Sequence, residues 1–345
     1  MLGSPISIPA RRKMETTMRN IHLALAFFTA ATTAYAETPV LKVLTYDSFT
    51  SEWGPGPAIE AGFEASCACD LQWVTGGDGA AILARLKLEG AASDVDVILG
   101  LDTSLTENAG KTGLLAPHGL TLVHDLPVPF SDPLFIPYDW GWFAFVYSNS
   151  KLPTPPKSFT ELAASDLKIV IQDPRSSTPG LGLLMWIKAA YPTESAAIWS
   201  ALADNILTVT PGWDQAYGLF LSGEADMVLS YTTSPAYHLI AEQDASKSAA
   251  LFTEGHYMQV EVAGMLASSP HPDLARAFLT YLGSDQAQSV LPTTNWMYPA
   301  KTPAAGLPAG FETLIKPLTS LFFSPAEAEA QRQPAVDEWQ TVLSR

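Results

Sequence analysis

Two long apolar and aromatic runs, "FIPYDWGWFAFVYS" (135–148) and "HYMQVEVAGMLA" (256–267), constrain this chain's fold more than any other feature. Each reads as an extended segment that joins one series of alternating strands and helices to another. Before the first run, strands "LKVLTYD" (41–47), "DLQWVTG" and "DVDVILGLD" (94–102) alternate with helices over 56–66 and 78–90. There Ile59 and Phe63, then Ile82, Leu83 and Leu86, recur at helical spacing, and Asp78 is placed as an N-cap. "TSLTENAGKTGLL" reads as a further short helix. Past the loop "KLPTPPKS", helix "FTELAAS", strand "LKIVIQDP", helices "GLGLLMWIKAAY", "ESAAIWSALADN" and "WDQAYGLFLSGE", and strand "DMVLSY" follow. After the second run come helices near 271–290 and an amphipathic one, "PAEAEAQRQPAVDEWQTVLS", interrupted by Pro334. Alternation of this kind predicts an α/β fold. Two such series joined by two extended crossovers predict two lobes, each a mixed sheet flanked by helices, with a hinge and a site in the cleft.

The N-terminus stands outside that body. "MRNIHLALAFFTAATTAYA" from Met18 has a basic start, an apolar stretch from Ile21 to Ala31 and a small-x-small ending at Ala34 and Ala36. It reads as a secretory signal peptide cleaved after Ala36, which sends the chain to the periplasm, with residues 1–17 ahead of it reflecting an early start codon. The apolar stretch is shorter than the ~20 residues a spanning helix needs, and no later segment reads as a span. Hydrophobic residues make up 47% of the 345, enough for two cores. Residues 1–36 contain four basic and one acidic side chain, so removing them takes the formal charge from −16 to about −19. Such a surface repels nucleic acid and anionic lipid. Cys67 and Cys69, spaced C-x-C, meet an oxidising compartment, where they pair locally or stay as two thiols. The six histidines are scattered without ligand spacing, so neither metal nor cofactor is expected.

Four clusters lie at element ends, where α/β folds place ligands. In "TYDSFTSEWGPGP", Tyr46 and Asp47 end the first strand and Trp53 precedes a Gly-Pro turn. In "QDPRSSTPGLG", Ser176, Ser177 and Thr178 precede Pro179 and a helix, whose free N–H groups suit an anion. Gly180 and Gly182 would let that anion come close, though a plain helix cap accounts for the same hydroxyls. Trp213 opens a helix in "TPGWDQAYG", and "PTTNWMYP" sets Asn295, Trp296 and Tyr298 in a loop. A fifth stretch, "LSYTTSPAYH", puts Tyr231 and Tyr237 around a hydroxyl-rich corner. Large rings in turns need a cover, which a ligand or the other lobe can supply. Tyr46, Trp53, Trp213, Tyr231, Tyr237 and Trp296 together offer ring faces for stacking and for attracting a cation, which points to a flat, positively charged heterocycle.

With "YDSF…WGPGP", "DPR…STPGLGL", "GW…AYGLFL", "LSYTTSPAYH", "EGHY" and "NWMYP" in order, the sequence resembles the periplasmic thiamine-binding receptors of the thiamine ABC transporter, from about residue 39 to the end. The resemblance implies a type II two-lobe periplasmic binding protein. It implies ligand aromatics at Tyr46, Trp53, Trp213, Tyr231, Tyr237 and Trp296, with Asp47 and Asn295 beside them, and phosphate-side contacts at Asp78, Gly79, Ser177 and Thr178. One departure is local: "GGDG" at 76–79 is richer in glycine than that family's pattern. Lobe I is expected over 37–140 plus 263–323, lobe II over 141–262, and a C-terminal helix over 324–345. The implied partners are thiamine or its mono- and diphosphate, an inner-membrane permease and its ATPase, with the receptor a monomer. A thiaminase-like enzyme would need a thiolate beside a base, and Cys67 and Cys69 lie away from every cleft motif. A ferric receptor would want adjacent tyrosines, and a polyamine receptor more carboxylates than Asp47 and Asp78.

Overall fold

The structure, a computed structural model, describes residues 38–344. The export signal read over residues 1–36 lies outside them. The first series folds as β1 (Val40–Thr45), α1 (Asp47–Thr50), α2 (Gly56–Cys67), β2 (Asp70–Thr75), α3 (Gly79–Glu89), β3 (Val97–Asp102), α4 (Thr106–Gly110) and the short β4 (Leu115–Ala116). The residues whose spacing predicted α2 and α3 are the ones those helices bury, Ile59 and Phe63 in one and Ile82, Leu83 and Leu86 in the other. β3 is buried at every position, as a strand covered on both faces must be.

The first long run forms β5 (Phe135–Ser148). The second series is α5 (Phe159–Ala163), β6 (Ile169–Gln172), α6 (Thr178–Ala190), α7 (Ser195–Leu202), β7 (Ile206–Thr210), α8 (Trp213–Leu221), β8 (Met227–Tyr231), α9 (Pro235–Ala241) and β9 (Lys247–Ala249). The second run forms β10 (His256–Leu266), followed by α10 (Pro272–Leu282), α11 (Asp285–Thr294), β11 (Tyr298–Pro299), β12 (Ser320–Leu321) and α12 (Pro325–Leu343).

The main strand order is β2-β1-β3-β10-β5-β8-β6-β7. β2, β1 and β3 run parallel, as do β8, β6 and β7, since each is reached by a helical crossover. Between these trios lie β10 and β5, antiparallel to each other and to their outer neighbours. β5 serves both trios: Phe135–Trp142 pair with β10, and Phe143–Tyr147 go on to pair with β8. The two long runs are thus the strands through which one α/β unit passes into the other.

Three local expectations change. The strand β7 went unread because "ILTVT" follows directly on a helix. Pro292 lies inside α11, so the "loop" before Asn295 is a last helical turn. α12 runs unbroken through Pro334. An internal proline costs ~3 kcal/mol, but a Ser324–Glu327 capping box secures the start of α12 and Ala328, Ala335, Val336 and Trp339 are buried along it, the helix packing on α6 and α7. Cys67 and Cys69 form a disulfide, with Cα atoms 5.2 Å apart and Ala68 between them at φ 50°.

Candidate functional site

The end of β1, the starts of α3, α6, α8 and α9, and the turn after α11 converge on a cavity of ≈ 440 Å³. Ten of the twelve residues singled out in the sequence line it: Tyr46, Trp53, Asp78, Gly79, Thr178, Trp213, Tyr231, Tyr237, Asn295 and Trp296. The other two stand beside it. Asp47 is exposed, and its Oδ1 accepts a hydrogen bond from Gly77 N–H at 3.2 Å. Ser177 is buried, and its Oγ donates to Asp78 Oδ2 at 2.7 Å.

Backbone constraints set the aromatic walls. Tyr46 follows β1 directly, and its ring lies against Gly100, where φ is +104° and a Cβ would come within 2.3 Å of the ring. Only glycine satisfies both conditions. Asn295 Nδ2 donates to Tyr46 Oη at 2.9 Å and to Asp139 Oδ2 at 2.6 Å, which ties the turn after α11 to β1 and β5. Trp213 opens α8 and stacks on Tyr217 one turn later, centroids 4.9 Å apart at 26°, while its Nε1 donates to Ser230 Oγ at 2.8 Å. Trp53 lies 6.3 Å from Trp213, ring centre to ring centre, and is 51% exposed. Tyr237, in the first turn of α9, meets Trp296 edge-on at 5.4 Å. Trp296 has φ +56° at the position after α11 where glycine is usual, and its N–H donates to Leu291 O at 3.0 Å.

At the helix starts one expectation holds in position only and one is corrected. Asp78 has the N-cap backbone of α3 but makes no cap hydrogen bond. Its Oδ2 instead accepts from Ser177 Oγ and, at 3.2 Å, from Trp213 N–H, so the carboxylate reaches the start of α8. Burial pushes its pKa up to about 6, while those two hydrogen bonds pull the other way. Gly79 N–H donates to Thr178 Oγ1 at 3.2 Å alongside. Gly180 and Gly182 are not ligand-facing: a Cβ on the first would sit 2.5 Å from Gln172 O, and on the second 2.1 Å from the Phe143 ring. They let α6 close onto β6 and β5.

The sequence reading missed Tyr217, Ser234, Glu261 and Met297, all of which line the cavity. Tyr217 was accessible in principle, four residues after Trp213 in a helix. Its Oη lies 2.9 Å from His238 Nε2, and His238 Nδ1 lies 2.7 Å from Glu242 Oε2, so the Trp213 wall is braced from α9. Acidic Asp78, Asp214 and Glu261 line the cavity, and none of the described lining residues is lysine or arginine. Such a pocket suits a flat cation and disfavours a free anion. His238, Glu242 and Asp244 lie close enough to share an ion, but outside the cavity, with both His238 nitrogens taken by Tyr217 and Glu242 and the Asp244 carboxylate taken by Ser246 and Lys247.

Residues 46–289 match the family described as bacterial extracellular solute-binding protein. The chain is 51% identical over 310 residues to the thiamine-binding periplasmic protein of Escherichia coli (strain K12), covering 89% of this chain and 94% of that one. To the thiamine-binding periplasmic protein of Brucella melitensis biotype 1 it is 48% identical over 308 residues, covering 88% and 92%. A solved periplasmic thiamin binding protein superposes with a TM-score of 0.87 at 50% identity, covering 89% of this chain and 97% of that one.

Proposed function

The chain belongs to the bacterial extracellular solute-binding protein family, and from that premise we propose that it is a periplasmic receptor for thiamine. The observation that carries the reading is the cavity itself, seven aromatic side chains around a space bordered by carboxylates and, among the described lining residues, by no lysine or arginine. Stacking and cation–ring attraction contribute ~0.5–2 kcal/mol for each well-placed ring, enough together for firm capture of a charged heterocycle. Thiamine monophosphate and diphosphate are ligands in the same reading, with their phosphates toward Asp78 and Gly79 at the start of α3 and Ser177 and Thr178 at the start of α6.

In this reading residues 37–140 with 263–323 form one lobe and 141–262 the other, and β5 and β10 act as the hinge. The ligand docks on one wall, the second lobe closes, and the closed monomer passes its cargo to an inner-membrane thiamine ABC permease driven by its ATPase. A ligand shifts that equilibrium only by favouring the closed form, so side chains from both lobes contribute. The family binds solutes and does not catalyse, and Cys67 and Cys69, joined to each other, offer no thiolate nucleophile. Calorimetric titration of Trp296→Ala and Tyr237→Ala with thiamine checks the aromatic clamp. Each substitution should weaken binding about tenfold or more, and unchanged affinity in both would overturn the clamp.

A further inference from the structure

Three carboxyl groups stand abreast behind the aromatic walls. Glu261 of β10 pairs with Asp102 of β3 on one side and with Asp139 of β5 on the other. Directly opposed residues share one face of a sheet, and like charges so placed destabilise it. Asp102 and Asp139 are fully buried, and Glu261 is 6% exposed where it borders the cavity. No salt bridge among the described residues involves any of the three.

Their hydrogen-bond partners are neutral. Glu261 Oε2 accepts from Tyr138 Oη at 2.7 Å and from Tyr46 Oη at 3.1 Å, and Gln259 Nε2 lies 3.4 Å from Oε1. A shift of register between Glu261 and Val262 leaves Tyr138 as the extra residue of a bulge, which brings its hydroxyl to Glu261. Asp102 Oδ1 accepts from Ser104 N–H at 3.1 Å, and Asp102 Oδ2 and Asp139 Oδ1 have no partner. Burial, with the Glu261 charge adding to it, pushes the pKa of Asp102 up to about 7 and that of Asp139 well above the usual carboxylate range. Glu261 is also raised by burial, but the hydrogen bonds it accepts from Tyr138, Tyr46 and Gln259 favour its ionised form. The row therefore concentrates its negative charge on the member that borders the cavity. A buried carboxylate without a cation is costly to fold, so the missing cation is to be sought in the ligand.

We propose that Glu261 is the specificity-determining residue of the cleft, the fixed counter-charge, backed by Asp102 and Asp139, that selects ligands with a permanently cationic azolium ring over neutral rings of the same shape. The inference rests on the thiamine reading and adds to it: the aromatic walls stack on any flat ring and favour a cation only through their ring faces, whereas the carboxylate row leaves its repulsion unrelieved unless the ring is charged.

The probes are thiamine and a neutral isostere in which carbon replaces the quaternary ring nitrogen, titrated calorimetrically into the mature protein and into Glu261→Gln. The natural protein should prefer thiamine by at least about tenfold, near 1.4 kcal/mol. Glu261→Gln should lose about tenfold for thiamine while holding the isostere within about threefold, and its binding of the isostere shows that the cleft is intact. The proposal is overturned if the natural protein shows no preference, if Glu261→Gln keeps the preference, or if a folded Glu261→Gln loses both probes equally. Should Glu261→Gln not fold, the preference of the natural protein decides. If the natural protein binds neither probe, the thiamine reading itself falls.

Discussion

Asp78 and Glu261 show what single residues disclose in a sequence and what they hide. Asp78 reads locally as a helix cap, because its partners Ser177 and Trp213 lie far along the chain and no local pattern announces them. Glu261 was overlooked although it left a trace: it is a lone carboxylate inside the apolar run "HYMQVEVAGML", a place where an ionisable group needs a reason. The cleft aromatics were legible because they occur at or near the ends of strands and helices and in turns, where bulky rings are expensive unless covered. Asp102 gives a prediction at this scale. Its folded pKa, about 7, lies above the ordinary aspartate value of 3.8, so the folded state holds its proton more tightly than the unfolded chain does. Ionisation therefore costs stability as pH rises from about 3.8 to about 7. Asp102→Asn removes that cost, and its melting temperature should exceed that of the natural protein by a few degrees near pH 8 and converge on it near about pH 4. A difference that does not vary with pH would contradict the assignment.

At the scale of elements, helices with clear apolar spacing were legible and their boundaries less so. Pro334 is expected to interrupt its helix and "PTTNWMYP" to be a loop, yet α12 and α11 pass through Pro334 and Pro292, because tertiary packing outweighs the local penalty. Gly180 and Gly182 were read as room for an anion when the space is taken by β5 and β6, a fact only the packing partner reveals. The turn after α11 carries a testable strain. Trp296 takes the left-handed backbone that glycine takes without cost, and an alanine there gives up about 1 kcal/mol relative to glycine. Trp296→Gly should therefore melt about 2 °C above Trp296→Ala without ligand, while both lose thiamine affinity to a similar degree. Equal melting temperatures would argue against the left-handed turn.

For the whole molecule, the alternation of strands and helices and the two long runs made the α/β architecture legible, since crossover connections and extended bridging strands leave periodic signatures. The pairing of β10 with both β3 and β5 was not legible, and it is this register that lines up Asp102, Glu261 and Asp139. The aromatic lining comes from both α/β series, and Glu261, on β10 between the two trios of parallel strands, adds a carboxyl group to the cavity border. Trp53, Trp213 and Trp296 all line the cavity, so tryptophan fluorescence of the mature protein reports on occupancy directly. Titration with thiamine, thiamine monophosphate and thiamine diphosphate is expected to give a saturable one-to-one change with thiamine. No change with any of the three would contradict the central claim that this cleft is a thiamine site.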